Sequence, residues 1–254
     1  MIWDLQKASV LKRASAFLLD FILFCILAVG IAAGISAITN YDSYAEKQNQ
    51  IMDTYAEQYL GMTLEDYAKL TEDEQNSLSD SYVDMYNALN QNEEFLSVFN
   101  VIFNLSLVMV SLGIFFAILI LEFIVPLILK NGQTVGKKIF GIAVIRPHGV
   151  KASSVCLFIR AMLAKYSIET MIPVLIILMI YFGMIGIMGP LVILGIIVLE
   201  IVVFFTSRTN SLIHDIFSDT VSVDMASQMI FDSDADLLAY KKRVSAEAAE
   251  KKPY

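Results

Sequence analysis

Three long apolar runs constrain this chain more than any other feature of its sequence. They cover residues 14–38, 98–129 and 168–205, and at about 1.5 Å per helical residue each is long enough to cross a hydrocarbon core of about 30 Å. The third run suffices for two short crossings, and the sequence from Gly186 to Pro190 favours a break in its middle. We therefore predict an all-α polytopic membrane protein with four transmembrane helices. The alternative is one long kinked helix in the third run.

The charged residues outside these runs are segregated by sign. Residues 39–97 contain thirteen Asp or Glu and two Lys, whereas residues 130–167 contain seven Lys or Arg and no acidic residue. Basic loops stay on the cytoplasmic side of a membrane. We therefore expect a multi-pass protein of the cell membrane, with both termini cytoplasmic and the acidic segment extracytoplasmic. The net charge of −8 argues against nucleic-acid binding.

The runs and the charges divide the chain into six predicted segments. These are a cytoplasmic N-terminus with transmembrane helix 1 (1–38), an acidic extracytoplasmic helical insert (39–97), transmembrane helix 2 (98–129), a basic cytoplasmic segment with a hairpin and an interfacial helix (130–167), a transmembrane helical hairpin of helices 3 and 4 (168–206), and a cytoplasmic His-Asp motif with a polar tail (207–254). The lipid bilayer is the one partner that this division itself requires.

The acidic insert contains helix signals. Two capping boxes begin at Thr63 and Thr71, each with an acidic residue three positions later. A stripe of Leu, Met and Tyr with helical spacing follows over residues 78–89. We expect two or three helices that use this stripe as their mutual packing surface.

The basic segment contains both strand and helix signals. Residues 142–145 are β-prone and precede a turn, which predicts a short hairpin, and we expect residues 221–223 to pair with it. Residues 153–165 predict an interfacial amphipathic helix. Further along, Asn210 or Ser211 is a candidate cap for a short helix.

Each predicted span contains one carboxylate near its basic end. These residues are Asp20, Glu122, Glu169 and Glu200. Ionisable side chains are costly inside a membrane, so we expect the four acids to face one another in a polar pocket open to the cytoplasm. Arg160 and His214 are candidate partners of Asp20. Two interpretations stay open: either basic residues pair with the acids and lock the helices together, or the acids bind a cation, a proton or the headgroup of a substrate.

Three motifs follow one another along the chain. The first runs from Arg13 to Asp20, and the third begins at His214-Asp215 and continues to Thr220. The second is a Gly-Gln-Thr-x-Gly-Lys pattern with a later glycine, at Gly132, Gln133, Thr134, Gly136, Lys137 and Gly141. Their order and spacing resemble those of the RDD family of membrane proteins, which is named after one arginine and two aspartates. The resemblance covers residues 13–223 apart from the acidic insert.

The resemblance implies transport of ions or small molecules, since such transport, including sodium/proton exchange, is attributed to some members. We therefore predict a transporter or exchanger of a small cation or solute, with Asp20 and Glu122 at its centre and Arg13 and Asp215 as pairing or gating groups. The alternative is a non-transporting scaffold or regulatory subunit, in which a membrane-protein partner or a second copy of the chain is bound. A pocket lined by the four acids favours the transporter, whereas acids held in ion pairs favour the scaffold.

The sequence does not favour an enzyme. It contains no nucleophile motif and no His-Glu-x-x-His pattern, and residues 132–138 lack the spacing of a nucleotide-binding loop. Neighbouring residues of a helix point about 100° apart, so His214 and Asp215 are not expected to form a catalytic dyad. No cofactor and no metal site is predicted. The family resemblance favours a bacterial plasma membrane.

Overall fold

Helices and two short strands make up the structure, a computed structural model that describes residues 5–250. The helices are α1 (Val10–Thr39), α2 (Tyr41–Leu60), α3 (Leu64–Tyr67), α4 (Glu72–Ser77), α5 (Ser79–Leu89), α6 (Glu93–Leu129), α7 (Val135–Ile139), α8 (Ser154–Tyr181), α9 (Met188–Thr206), α10 (Ile213–Phe217) and α11 (Asp234–Glu250). The strands are β1 (Ile142–Ile145) and β2 (Val221–Asp224).

Helices α1, α6, α8 and α9 are long and apolar enough to cross a membrane. They contain 30, 37, 28 and 19 residues. The predicted fold class, an all-α polytopic membrane protein with four transmembrane helices, is therefore confirmed. The third apolar run is broken, as predicted, but between Tyr181 and Met188. Gly189 and Pro190 belong to the first turn of α9, where proline is tolerated because those amides have no helical partner.

The predicted interfacial helix and the third transmembrane helix form one continuous helix, α8. Its first turn is capped by Ser153, whose hydroxyl accepts a hydrogen bond from the amide of Cys156 at 3.2 Å. Residues 154–171 contain neither Gly nor Pro, so no residue in this stretch stops the helix. The boundary expected near residue 167 is therefore absent.

Two of the membrane helices widen into π-helix shortly before a proline. In α6 the widened segment is Leu119–Ile124 and precedes Pro126, and in α8 it is Ile159–Met171 and precedes Pro173. A proline lacks the amide hydrogen, and its ring clashes with the carbonyl four residues earlier, so the wider turn relieves a local conflict. All the charged residues that these helices bring to the candidate site lie within the two widened segments.

The chain divides into two compact units. One contains the chain up to Val29 and from Gly113 onward, including both strands. The other, Gly30–Leu112, contains the acidic insert, which is helical as expected. Its core is formed mainly by α2 and α5, with Ala56, Leu60, Met85, Leu89 and Phe95 buried.

The sequence signals of the acidic insert have different outcomes. Thr71 forms a complete capping box with Glu74, whereas the hydroxyl of Thr63 accepts from the amide of Asp66 without the reciprocal bond. In the predicted packing stripe Leu89 is 1% exposed, but Tyr86 is 56% exposed. Part of the stripe is therefore core and part is surface.

Strands β1 and β2 form an antiparallel pair in which Ile142 lies opposite Asp224 and Ile145 lies opposite Val221. The pairing predicted for residues 221–223 is therefore present. The predicted hairpin is present only as a single bridge between Ile145 and Lys151. The strand that pairs with β1 over its whole length is β2. The sheet fixes the end of the second sequence motif against the end of the third.

The approach of α7 to α1 leaves no room for a side chain at Gly136. A Cβ atom there would lie 2.3 Å from the carbonyl oxygen of Ala16 and 2.9 Å from Cγ of Asp20. We expect Gly136→Ala to lower the free energy of unfolding by about 1–3 kcal/mol, because backbone or side chains must shift. Gly195→Ala is the control, since its Cβ would meet nothing within 4 Å. Thermal unfolding in detergent measures both, and equal midpoints would contradict the close approach.

Candidate functional site

Arg160 is the central residue of a buried ion-pair network. It lies in the widened segment of α8 and is 3% exposed. Its Nε donates to Oδ1 of Asp215 at 3.0 Å, and a terminal nitrogen donates to Oε2 of Glu122 at 3.5 Å. A buried charge is stable only when it is paired, so this guanidinium and the two carboxylates depend on one another.

Glu122 has two further cationic neighbours. Lys165 of α8 contacts Oε1, and the ammonium of Lys137 lies 4.0 Å from Oε2. The carboxylate therefore joins α6 to α7 and α8. No local sequence pattern predicts these contacts, because Lys165 is 43 residues from Glu122 along the chain.

Asp215 connects α10 to the N-terminal part of α1. Its Oδ2 lies 3.6 Å from the guanidinium of Arg13, and its Oδ1 accepts from the hydroxyl of Thr220 at 3.2 Å. Burial alone would raise the pKa of Asp215, but the neighbouring Arg160 guanidinium holds it well below its usual range. Arg13 also donates to the carbonyl of Asn210 at 2.5 Å. The predicted role of Arg13 and Asp215 as a pair thus has a geometric basis.

Asp20 binds the start of α7 rather than a basic residue. It accepts hydrogen bonds from the hydroxyl of Thr134 at 2.5 Å and from the amide of Gly136 at 2.8 Å. The expected pairing with Arg160 or His214 is therefore wrong. Those two side chains are engaged with other acids, and the free amides of a helix N-terminus offer a carboxylate a better-placed set of donors.

The Gly-Gln-Thr-x-Gly-Lys motif builds this helix start. Gly132 has a φ of +63°, and a Cβ atom there would lie 2.8 Å from the carbonyl oxygen of Val144. Gln133 is buried and donates to the carbonyl of Ile142 at 2.8 Å.

Thr134 caps α7 by accepting from the amide of Lys137 at 3.3 Å. The motif therefore holds the loop against β1 and presents the α7 amides to α1. Gly141, which also has a positive φ of 65°, ends the turn before β1.

Glu169 and His214 form a second pair of groups. Glu169 accepts from the backbone amide of His214 at 2.7 Å, and its other oxygen lies 2.7 Å from Nδ1 of the imidazole. Glu169 therefore caps α10 from another helix, a role that the sequence suggested for Asn210 or Ser211. Burial and the nearby Arg160 lower the pKa of His214. Asp215 does not orient this ring, since Nε2 lies 3.8 Å from its Oδ1.

Glu200 differs from the other three acids. Both its carboxylate oxygens are buried, and within the described residues neither has a hydrogen-bond partner. The carboxyl lies beside that of Glu169 and near the amide of Ile213. It is the one acid of the four that forms no hydrogen bond within the described residues.

A cavity of about 280 Å³ lies against this network. Its lining contains Val10, Arg13, Ala14, Ala16, Phe17, Asp20, Lys137, Ile142, Arg160, Lys165, Glu169, Phe204, Leu212, His214, Asp215 and Ser222. The expectation that all four span acids face one pocket is therefore wrong. Asp20 and Glu169 line the cavity, whereas Glu122 is enclosed by basic residues behind it and Glu200 lies next to Glu169.

The sequence pattern that defines the RDD family matches residues 7–219 of this chain. The protein belongs to the RDD family. No curated protein and no solved structure is matched. With its four apolar helices, this RDD protein is a multi-pass integral membrane protein.

The arginine and the two aspartates after which the RDD family is named come together in the structure. Arg13, Asp20 and Asp215 all line the cavity, although Asp215 of α10 is far along the chain from the two residues of α1. Thr220 follows the matched region and supports Asp215 by its hydroxyl. Lys137 also lines the cavity. Sequence reasoning named Lys137 as part of a motif but had no signal for its position beside Glu122.

Replacing Arg160 should destabilise the folded protein. We expect Arg160→Gln to lower the free energy of unfolding by about 3–5 kcal/mol, because Glu122 and Asp215 would lose their shared buried cation. The control is Arg243→Gln, whose side chain is exposed and pairs with Glu247 at 4.0 Å, and which should cost about 1 kcal/mol or less. Denaturant unfolding in detergent measures both variants. Similar losses in the two would refute the central role of Arg160.

The lowered pKa of His214 predicts a pH dependence of stability. Below about pH 6.5 the unfolded imidazole binds a proton more readily than the folded one, so stability is highest above that pH and falls as the pH decreases. We expect the unfolding midpoint to decrease from pH 7 to pH 5, and His214→Gln to reduce this decrease. His148→Gln, at the chain's other histidine, is the control. An unchanged pH profile in His214→Gln would contradict the assignment.

Proposed function

We propose that this RDD protein exchanges a small cation, such as sodium or potassium, for a proton, and that the two ions compete for the carboxyl groups of Glu169 and Glu200. The observation that supports the proposal is the environment of Glu200. Its oxygens are buried without a donor, and a second carboxyl group lies beside it. Two neighbouring carboxyl groups do not both stay ionised without a counter-charge. Either a proton or a small cation would supply that charge.

The charge balance of the network supports the same proposal. Its acidic members are Asp20, Glu122, Glu169, Glu200 and Asp215, and its basic members are Arg13, Lys137, Arg160 and Lys165. With His214 neutral, one negative charge remains. Uncompensated charge is costly away from water, and the carboxylate without a hydrogen-bond donor is Glu200, so a positive charge would be favoured beside that residue.

A proton and a cation bound at the two carboxyl groups would have the same effect on the packing of α8 against α9. Glu169 belongs to α8 and is held by His214, whereas Glu200 belongs to α9. Without a bound ion the carboxylates repel each other and so oppose the packing of these two helices. A proton or a cation removes the repulsion. Since Glu169 also lines the cavity, an ion has a path to the pair.

Asp20 and Glu122, which the sequence placed at the centre of the site, are less suited to bind a cation. Asp20 accepts two hydrogen bonds, as Glu169 does, but Glu169 lies beside Glu200, whose oxygens accept none. Glu122 is surrounded by Lys137, Arg160 and Lys165. A cation that approached Glu122 would meet three positive side chains. We therefore assign these two acids to the support of the site.

Glu200→Gln provides the test of exchange. We expect cation-dependent proton flux in proteoliposomes to fall to the background of empty vesicles, because the amide cannot take up a proton or supply a negative charge. Its free energy of unfolding should not decrease, since the repulsion with Glu169 is removed. Glu247→Gln, an exposed acid of α11, is the control and should keep wild-type flux. Wild-type protein without sodium- or potassium-dependent proton flux would refute the proposal.

The same proposal includes an orientation in the cell membrane, with both termini in the cytoplasm. It is supported by exposed basic residues that follow membrane helices, such as Lys130 after α6 and Arg208 after α9. In a variant without native cysteines, Ser77→Cys should react with an impermeant maleimide on intact cells, whereas Ser245→Cys should react only after lysis. The reverse labelling would refute the orientation.

A scaffold role is a second candidate, favoured by the number of acids that are held in internal pairs. The acidic insert would then present its surface to a membrane-protein partner or to a second copy of the chain. Leu89 of this insert is buried, whereas Tyr86 is 56% exposed, so a photo-crosslinker belongs at Tyr86. A specific crosslink from Tyr86 in a protein that shows no ion flux would favour this role over exchange.

A further inference from the structure

The cavity beside the ion-pair network has an apolar part and a charged part. Val10, Phe17 and Phe204 belong to the apolar part, and α1 and α9, from which they come, are membrane-spanning helices. Val10 and Phe17 are also 61% and 57% exposed. Arg13 and Lys137 belong to the charged part. An occupant of this cavity therefore meets hydrocarbon on one side and positive charge on the other.

Most acceptor atoms of the cavity's acids are in use. Asp20 accepts from Thr134 and Gly136, and Glu169 accepts twice from His214. Asp215 accepts from Arg160 and from Thr220. Each of these carboxylates is thus held by at least two donors, and the oxygen among them that forms no hydrogen bond within the described residues, Oδ2 of Asp215, lies 3.6 Å from the guanidinium of Arg13.

The bases of the cavity have donors to spare. The ammonium of Lys137 carries three N–H groups, and within residues 5–250 it makes one hydrogen bond, a long one of 3.4 Å to the hydroxyl of Thr134, besides its 4.0 Å approach to Glu122. Within the same residues, the guanidinium of Arg13 carries five N–H groups and makes one hydrogen bond, to the carbonyl of Asn210, besides its 3.6 Å approach to Asp215. The open hydrogen-bonding capacity of the cavity is therefore that of a donor, which an anion would satisfy.

We propose that the cavity binds the phosphate of an anionic phospholipid, with the phosphate oxygens near Lys137 and Arg13 and the start of an acyl chain along Phe17 and Phe204. Phosphate is the group that combines a negative charge with several strong acceptors, and Arg and Lys are its usual partners. A phospholipid, unlike inorganic phosphate, also fills the apolar part. Its source is the bilayer that surrounds α1.

The groups proposed to hold the lipid phosphate differ from those of the proposed exchange site, although Glu169 of that site lines the same cavity. Glu200 does not line the cavity, and it lacks donors, whereas Lys137 lacks acceptors. A cation and a lipid phosphate would therefore bind different groups. Loss of lipid binding in a Lys137 variant leaves the Glu200 test unaffected, so the two proposals can fail independently.

The pH dependence of binding follows from the surroundings of Lys137. The charged groups facing it are Asp20 from α1, Glu122 from α6, and Arg160 and Lys165 from α8. Burial lowers the pKa of Lys137 to about 8. A bound phosphate stabilises the protonated form, so the affinity for the lipid should be higher at pH 7 than at pH 9.

The experiment uses the full chain, purified and stripped of lipid in a mild detergent. Thermal unfolding is followed during titration with phosphatidylglycerol, with the zwitterionic phosphatidylcholine, and with inorganic phosphate. We expect phosphatidylglycerol alone to raise the midpoint, because a ligand that binds only the native state stabilises it. Lys137→Gln should lower the affinity for this lipid by about tenfold or more, equivalent to about 1.4 kcal/mol of binding free energy. Lys138→Gln, at the exposed neighbouring lysine, is the matched control and should bind as the wild type does.

A second variant tests the cavity without changing any charge. Ala14 lines it, so Ala14→Phe should fill the space and remove the phosphatidylglycerol-dependent shift, even if Lys137→Gln does not fold. Equal shifts with phosphatidylcholine or with inorganic phosphate would overturn the assignment of an anionic lipid. Equal losses in Lys137→Gln and Lys138→Gln would show a general surface attraction and would also overturn it.

Discussion

The bond of Arg160 to both Glu122 and Asp215 is the interaction on which the rest of this structure depends. It joins α6, α8 and α10 through one buried cation. In a medium that solvates charge poorly, neither carboxylate would be stable without it, and the guanidinium would not be stable without them. Arg160 itself lies in the widened segment of α8. The remaining charged groups are arranged around this centre.

A second constraint is the contact of α1 with α7. Asp20 cannot approach the amide of Gly136 unless that residue lacks a side chain, and Thr134 must both cap α7 and bind Asp20. Two motifs that are remote in sequence are thus one structural unit. This explains in physical terms why a Thr-x-Gly pattern accompanies an aspartate inside a membrane helix. It also brings Arg13, on the same helix as Asp20, into reach of Asp215.

Two residues of the resulting site lack hydrogen-bond partners of opposite kinds. Glu200 has acceptors without donors, whereas Lys137 has donors without strong acceptors. Since unpaired buried polar groups are costly, each marks a place where a small ligand would lower the free energy of the folded protein. Glu200 would be satisfied by a proton or a cation, and Lys137 would be satisfied by an anion. For this reason ion exchange and lipid binding are assigned to different residues of one network.

The sequence by itself determined the apolar helices, the family, the capping of the acidic insert by Thr71 and the pairing of β2 with the basic segment. The helices, the cap and the family motifs rest on periodicity, on composition and on hydrogen bonds between near neighbours, all of which are local. The strand pairing joins two segments that are far apart in sequence, but each segment was recognised by its local β-propensity. Only the tertiary structure decided the partners of the charges. Asp20 and Thr134 are 114 residues apart, and Arg160 and Asp215 are 55 apart. Several acids and bases lie at similar depths, so composition allowed many pairings, and the packing of the helices selected among them because it fixes which side chains come within hydrogen-bonding distance.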